Sequence, residues 1–78
     1  MNNKSIVQAV LFRKVDWKLA DAMIWLGNHH FKIKKVDITK NWLRFRIHEP
    51  LDLKNKGYTN YANKFIENES IIFVIAFK

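Results

Sequence analysis

Cysteine is absent from this chain, glycine occurs twice and proline once, and no apolar run approaches the roughly 18 residues that a membrane span requires. Without cysteine there is neither a disulfide staple nor a thiolate metal site. Gly27 and Gly57 stand alone, so there is no glycine-rich phosphate loop. Ser5 and Ser70 lack any nucleophile-elbow context. Glu49 adjoins His48, but neighbouring strand residues face opposite ways and make no dyad. His29 and His30 are adjacent, with no third ligand at a diagnostic spacing. The expectation is therefore a protein that is not an enzyme, with no catalytic residue, no metal and no cofactor. Met1 to Lys4 is polar and loose, and the opening Met-Asn-Asn-Lys-Ser carries no apolar signal core, which predicts a soluble intracellular protein.

Acidic residues are also scarce: 7 Asp and Glu stand against 14 Lys and Arg, a formal net charge of +7. Such a surplus points toward polyanions, although the accompanying Asn and Ile richness fits an AT-biased genome that inflates lysine without selection. What is plentiful is apolar and aromatic. The 78 residues are 49% hydrophobic, with three Trp, six Phe and two Tyr. That is room for one small domain, residues 1–78, with one modest core built on large rings. There are no internal repeats and no low-complexity segment.

Along the chain, Ser5 to Phe12 is apolar on nearly both faces and predicts a central strand. Asp16 is placed to cap a helix running from about Trp17 to Leu26. Leu19, Ala22, Met23 and Leu26 share one face of it, Trp25 lies at the edge, and Gly27 and Asn28 suit its left-handed stop. Few cations lie on its polar face, which argues against a membrane-surface helix.

Residues 30–49 concentrate the charge, holding Lys32, Lys34, Lys35, Lys40, Arg44 and Arg46. Phe31 and Ile33 alternate with Lys32 and Lys34; Leu43, Phe45 and Ile47 alternate with Trp42, Arg44 and Arg46. A hairpin with its turn over Asp37 to Asn41 pairs Val36 with Trp42, Ile33 with Phe45 and Phe31 with Ile47. It also sets Lys34 opposite Arg44 and Lys32 opposite Arg46, a destabilising arrangement. An anionic partner would explain it, as would splayed, solvated side chains; a register slip near Lys35 would remove it. Glu49 and Pro50 end the strand, and Leu51 to Gly57 reads as a loop. Tyr58 to Ile66 is ambiguous, because Tyr58, Tyr61, Ala62 and Phe65 have helical spacing while the Tyr, Thr, Phe and Ile content favours a strand. Glu67 to Ser70 reads as a turn and Ile71 to Phe77 as a central strand.

Several short strings resemble a small α+β domain of tailed-phage and giant-virus proteins, seen also in phage prohead-protease-like proteins. They are Val10-Leu11-Phe12, Trp25-Leu26, Phe31-Lys32, the Asp37 to Asn41 turn, Arg44-Phe45-Arg46 and Val74-Ile75. The likeness covers most of the chain. It implies a phage- or virus-related origin, a location in host cytoplasm or virion, and a β-α-β-β-β order. It tilts residues 58–66 toward strand. It transfers no chemistry, and no nucleophile region of a protease is present.

The fold expected is α+β, a β-α-β-β-β(-β) chain with one helix packed on a mainly antiparallel sheet, the second strand running parallel to the first. The helix covers Leu43, Phe45 and Ile47. The opposite face then shows Lys32, Lys34, Trp42, Arg44 and Arg46, a set fit for single-stranded nucleic acid, with cations for phosphates and a ring for a base. The alternative from the same residues is a virion-structural or protein–protein interaction module, including a host-enzyme inhibitor, in which this face docks an acidic protein or Trp42 anchors a self-association patch.

Overall fold

Two strands that are apolar on both faces form the middle of the molecule: β1 (Ser5–Arg13) and β5 (Ile71–Phe77). Between them the chain makes α1 (Leu19–Asn28), β2 (Lys35–Ile38), β3 (Trp42–Arg46), α2 (Pro50–Asn55) and β4 (Asn60–Ile66). The computed structural model describes residues 4–78, and the loose start expected from the sequence falls largely on residues 1–3, outside them. The five strands form one sheet in the order β2-β3-β1-β5-β4, every neighbouring pair antiparallel. The domain is thus α+β, with one main helix on a five-stranded antiparallel sheet. β2 runs parallel to β1 as expected, with β3 between them. Among the described residues no helix is long and apolar enough to cross a membrane.

α1 buries Ala22 and Leu26 against Val10 and Phe12 of β1, Leu43 and Phe45 of β3, Ile47 and Ile71. Phe12 is the hub: Trp17, Trp25 and Phe45 meet its ring edge-on at 5.0, 5.7 and 5.5 Å between centroids. Edge-to-face contact suits ring quadrupoles and fills a small core with few residues. Leu19 and Met23 are exposed and outside the core cluster, so the buried stripe is narrower than the periodicity suggests.

Both ends of α1 depart from expectation. Asp16 does not cap it; its carboxylate is 2.9 Å from Arg13 Nε, and the chain turns tightly through residues 14–16. Lys18 occupies the N-cap position and supplies no capping side chain. At the other end the left-handed residue is His30, φ 64°, rather than Gly27 or Asn28. His30 N–H donates to the Gly27 carbonyl and Phe31 N–H to that of Leu26, the paired bonds of a Schellman cap.

This cap explains the largest correction. Phe31 is drawn onto the core, 5.8 Å from the Phe73 ring and stacked 6.4 Å from Trp25, so it cannot pair with Ile47. β2 starts only at Lys35. The hairpin is closed at Thr39 and Trp42, and its register is Lys35↔Arg46, Val36↔Phe45, Asp37↔Arg44 and Ile38↔Leu43. Neither Lys34 opposite Arg44 nor Lys32 opposite Arg46 occurs. The alternation of Phe31 and Ile33 with lysines is the pattern of a connection packing its apolar side chains inward.

The stretch expected as a loop contains α2. Pro50 starts it, where a missing N–H costs nothing. Gly57, φ 93°, ends it with Gly57 N–H on the Lys54 carbonyl and Tyr58 N–H on that of Leu53, a second Schellman cap. Residues 60–66 are strand β4, and Glu67 to Ser70 is a turn. A bulge between Val7 and Ala9 sets off Gln8, which is buried but hydrogen-bonded: its backbone carbonyl accepts from Ile47 and His48 N–H, and its side-chain Nε2 donates to the His48 carbonyl at 2.9 Å.

Candidate nucleic-acid interface

Residues directly opposite one another in a ladder point to the same face. Val10 and Phe12 pair with Phe45 and Leu43 on the α1 side. Ala9, Leu11 and Arg13 therefore share the other face with their partners Arg46, Arg44 and Trp42. Two rows cross that face. One reads Asp37, Arg44, Leu11, Ile72, Phe65; the next reads Lys35, Arg46, Ala9, Val74, Asn63. The β2–β3 half is charged and the β1–β5–β4 half is apolar. Ala9 and Ala76 on this face are fully buried, and a groove of about 380 Å³ is lined by Leu51, Lys54, Tyr58 and Tyr61. These observations place α2 over the end of the face that holds Ala76, leaving the end with Trp42, Leu11 and Phe65 open.

The structure thus brings Trp42, Arg44 and Arg46 together on the face away from α1. Lys32 and Lys34 lie elsewhere. With His30 and His48 they rim a second groove of about 370 Å³, floored by Phe31 and Ile47 near the exit of β3. Among the described residues no cluster of three or more potential metal ligands occurs. His29 is turned back on α1, stacked 3.8 Å from the Trp25 ring with Nδ1 2.8 Å from the Trp25 carbonyl oxygen.

Charge on the open face is more balanced than the sequence alone suggests, because Asp37 lies within β2 rather than in the turn. Arg46 approaches Asp37 at 3.8 Å and Glu49 at 3.3 Å, and Lys35 approaches Asp37 at 3.9 Å. Arg13 is held by Asp16 and donates to the Glu69 carbonyl at 3.1 Å. Arg44 is left with no ion pair among the described residues. Its Nε, like those of Arg13 and Arg46, is shielded from solvent without a hydrogen-bond partner. What separates it from the other two is that its guanidinium makes no ion pair, even with Asp37 directly across the strand pair, which leaves it the face's best anion contact.

Sequence reasoning did not place Phe65, Tyr61 or Leu11 at this site. Phe65 is 53% exposed and Tyr61 46%. The alternation of Tyr61, Asn63 and Phe65 was the available signal, and it competed with the helical spacing of Tyr58, Tyr61, Ala62 and Phe65.

Comparison with protein-family models, curated proteins and solved structures returned no match. Nothing there links the chain to phage or giant-virus families, so that resemblance rests on its short strings alone.

Proposed function

We propose that this chain is a small basic module that binds single-stranded nucleic acid on the sheet face away from α1. The observation that carries the reading is the exposed Phe65 ring in the same cross-strand row as Arg44, an arginine that makes no ion pair although Asp37 lies directly across from it. Open sheets that bind single strands offer rings for bases and cations for phosphates. Here Phe65 and Trp42 are the stacking candidates and Arg44 is the phosphate contact. Lys32 and Lys34, around the rim, add to the positive field that draws a polyanion in. A phage- or virus-related origin, and action inside a host cell or virion, belong to the same proposal.

The test is a salt titration of oligonucleotide binding. Affinity should fall with salt, and Arg44→Ala should reduce the logarithmic slope by roughly 0.7, the value of one single-strand phosphate contact. Arg46→Ala should change the slope far less, because Asp37 and Glu49 already neutralise that side chain. Phe65→Ala and Trp42→Ala should each weaken binding by about 1–3 kcal/mol without altering the slope. A parent that binds no oligonucleotide at low salt would sink the reading. The acidic pair around Arg46 then favours the second one, a protein–protein contact made by the apolar half of the face, as in a virion-structural part or a host-enzyme inhibitor.

A further inference from the structure

β4 is an edge strand of a kind that proteins usually protect. Residues Asn60 to Phe65 are exposed on both faces, because α1 does not reach over them. The strand runs seven residues without proline or bulge, and Lys64 is its one charge. The opposite edge, β2, is four residues long and carries Lys35 and Asp37, a short charged edge that resists pairing.

The directions of the backbone groups on β4 follow from the ladder. Antiparallel residues alternate between bonding one neighbour and the other. Arg13 N–H donates to the Ser70 carbonyl and Lys78 N–H to that of Lys4, so even-numbered residues around β5 address β1. Odd-numbered residues of β5 address β4, where their partners are Ile66, Lys64, Ala62 and Asn60. Tyr61, Asn63 and Phe65 are left with N–H and C=O groups pointing off the sheet.

We propose that this edge is a homodimer interface, in which two copies pair β4 with β4 antiparallel about a two-fold axis at Asn63. In that register all three outward-pointing residues find outward-pointing partners. Asn63 faces Asn63 of the second copy, and Tyr61 faces Phe65 of the second copy on both sides of the axis. Aromatic cross-strand pairs are among the stabilising ones. Lys64 faces Ala62, so no lysine meets a lysine directly. Moving the axis to Lys64 would set two lysines face to face. Moving it to Ala62 would set each Tyr61 ring against an Asn63 amide. The strand is thus self-complementary in one register, as an isologous interface requires. Opposed residues share a face, so the dimer is a single ten-stranded sheet roughly 45 Å wide, from the usual strand spacing. Its two open faces become one continuous surface. The proposal does not depend on nucleic-acid binding, and its salt dependence is opposite: two copies of charge +7 repel, so salt favours their association.

Sedimentation of the full chain across concentration and salt tests it, together with two single substitutions. Asn63→Pro removes an N–H that the β4–β5 ladder does not use, a position where an edge strand tolerates proline. It should keep the parent circular dichroism and weaken association about tenfold or more, the scale of losing the two central hydrogen bonds. Asn63→Cys places the chain's sole thiol on the axis. Facing Cα atoms there lie about 5.5 Å apart, inside the roughly 4.4–6.8 Å span of disulfides. Mild oxidation should then give a covalent dimer. Tyr61→Cys, whose counterpart is Phe65, should give little. A parent that stays monomeric to millimolar concentration overturns the proposal, as does a folded Asn63→Pro that associates like the parent. Equal cross-linking at the two cysteine positions overturns the register. If the proline variant does not fold, the cysteine pair decides.

Discussion

Trp17 donates its indole N–H to the Ser70 hydroxyl at 3.0 Å, joining the approach to α1 with the start of β5. Ser70 Oγ donates in turn to the Glu67 carbonyl at 2.7 Å. The turn it closes is strained: Glu67, Asn68 and Glu69 have φ of 51°, 55° and 66°, a run of left-handed residues without a glycine. Arg13 steadies it from β1 through the Glu69 carbonyl. The β4–β5 turn is therefore held from outside, by side chains of a different part of the chain.

Ser70→Ala should lower stability by about 1–2 kcal/mol, because it strands the Trp17 donor and frees the strained turn. Trp17→Phe should destabilise through both the lost donor and the smaller ring. Denaturant midpoints of the two single variants and the double variant measure the link. The double loss should fall short of the sum of the single losses; strict additivity would show that the bond carries no coupling.

His30→Gly should stabilise the fold. A side chain in the left-handed region costs roughly 1–2 kcal/mol, and glycine's extra freedom in the unfolded chain returns roughly 0.5–1 kcal/mol of that. A net gain of about 0.5–1 kcal/mol is expected, read as a rise in denaturant midpoint at unchanged slope. Gly27→Ala is the companion measurement. Nothing lies within 4 Å of a Cβ there and its φ is not positive, so alanine should also stabilise, on the scale of its helix propensity.

Phe45→Ala should cost about 3–5 kcal/mol, the usual penalty for emptying a buried ring site. Phe45 is fully buried and meets Phe12 edge-on, so the loss reaches both rings of the central contact. Thermal or urea melting reads it, and a variant that melts with the parent would contradict the assignment of strand faces.

These residues also show what can be read from the chain. β1 and β5 were legible because both faces of each are apolar, and α1 because Leu19, Ala22, Met23 and Leu26 recur at helical spacing, although only Ala22 and Leu26 of these are buried. The faces of β3 were legible from simple alternation, which places Trp42 and Arg44 away from the helix. The hairpin register was not. Phe31 and Ile33 alternate like a strand, and only the cap at His30 reveals that they belong to a connection. α2 escaped because six residues that begin with a proline show little periodicity. Asp37 counted as a turn residue until the short β2 placed it beside Arg46, and that one position changes the charge of the site. Phe65 was hidden by a spacing that suited two secondary structures.

The pairing of β1 with β5 has a consequence for how the chain is made. β1 leaves the ribosome well before its main neighbour, since Phe12 pairs with Ile71. At ordinary translation rates of about 5–20 residues per second, the gap between them amounts to roughly 3–12 s. Through that interval Val10 and Phe12 can be sheltered on one flank by β3 and from above by α1, but Leu11 has no Ile72 beside it. The sheet cannot close until β5 emerges, and closing it joins the most distant parts of the chain at once. Folding should therefore be governed by this late, long-range step, with the nascent chain a natural client for any factor that shields apolar strands.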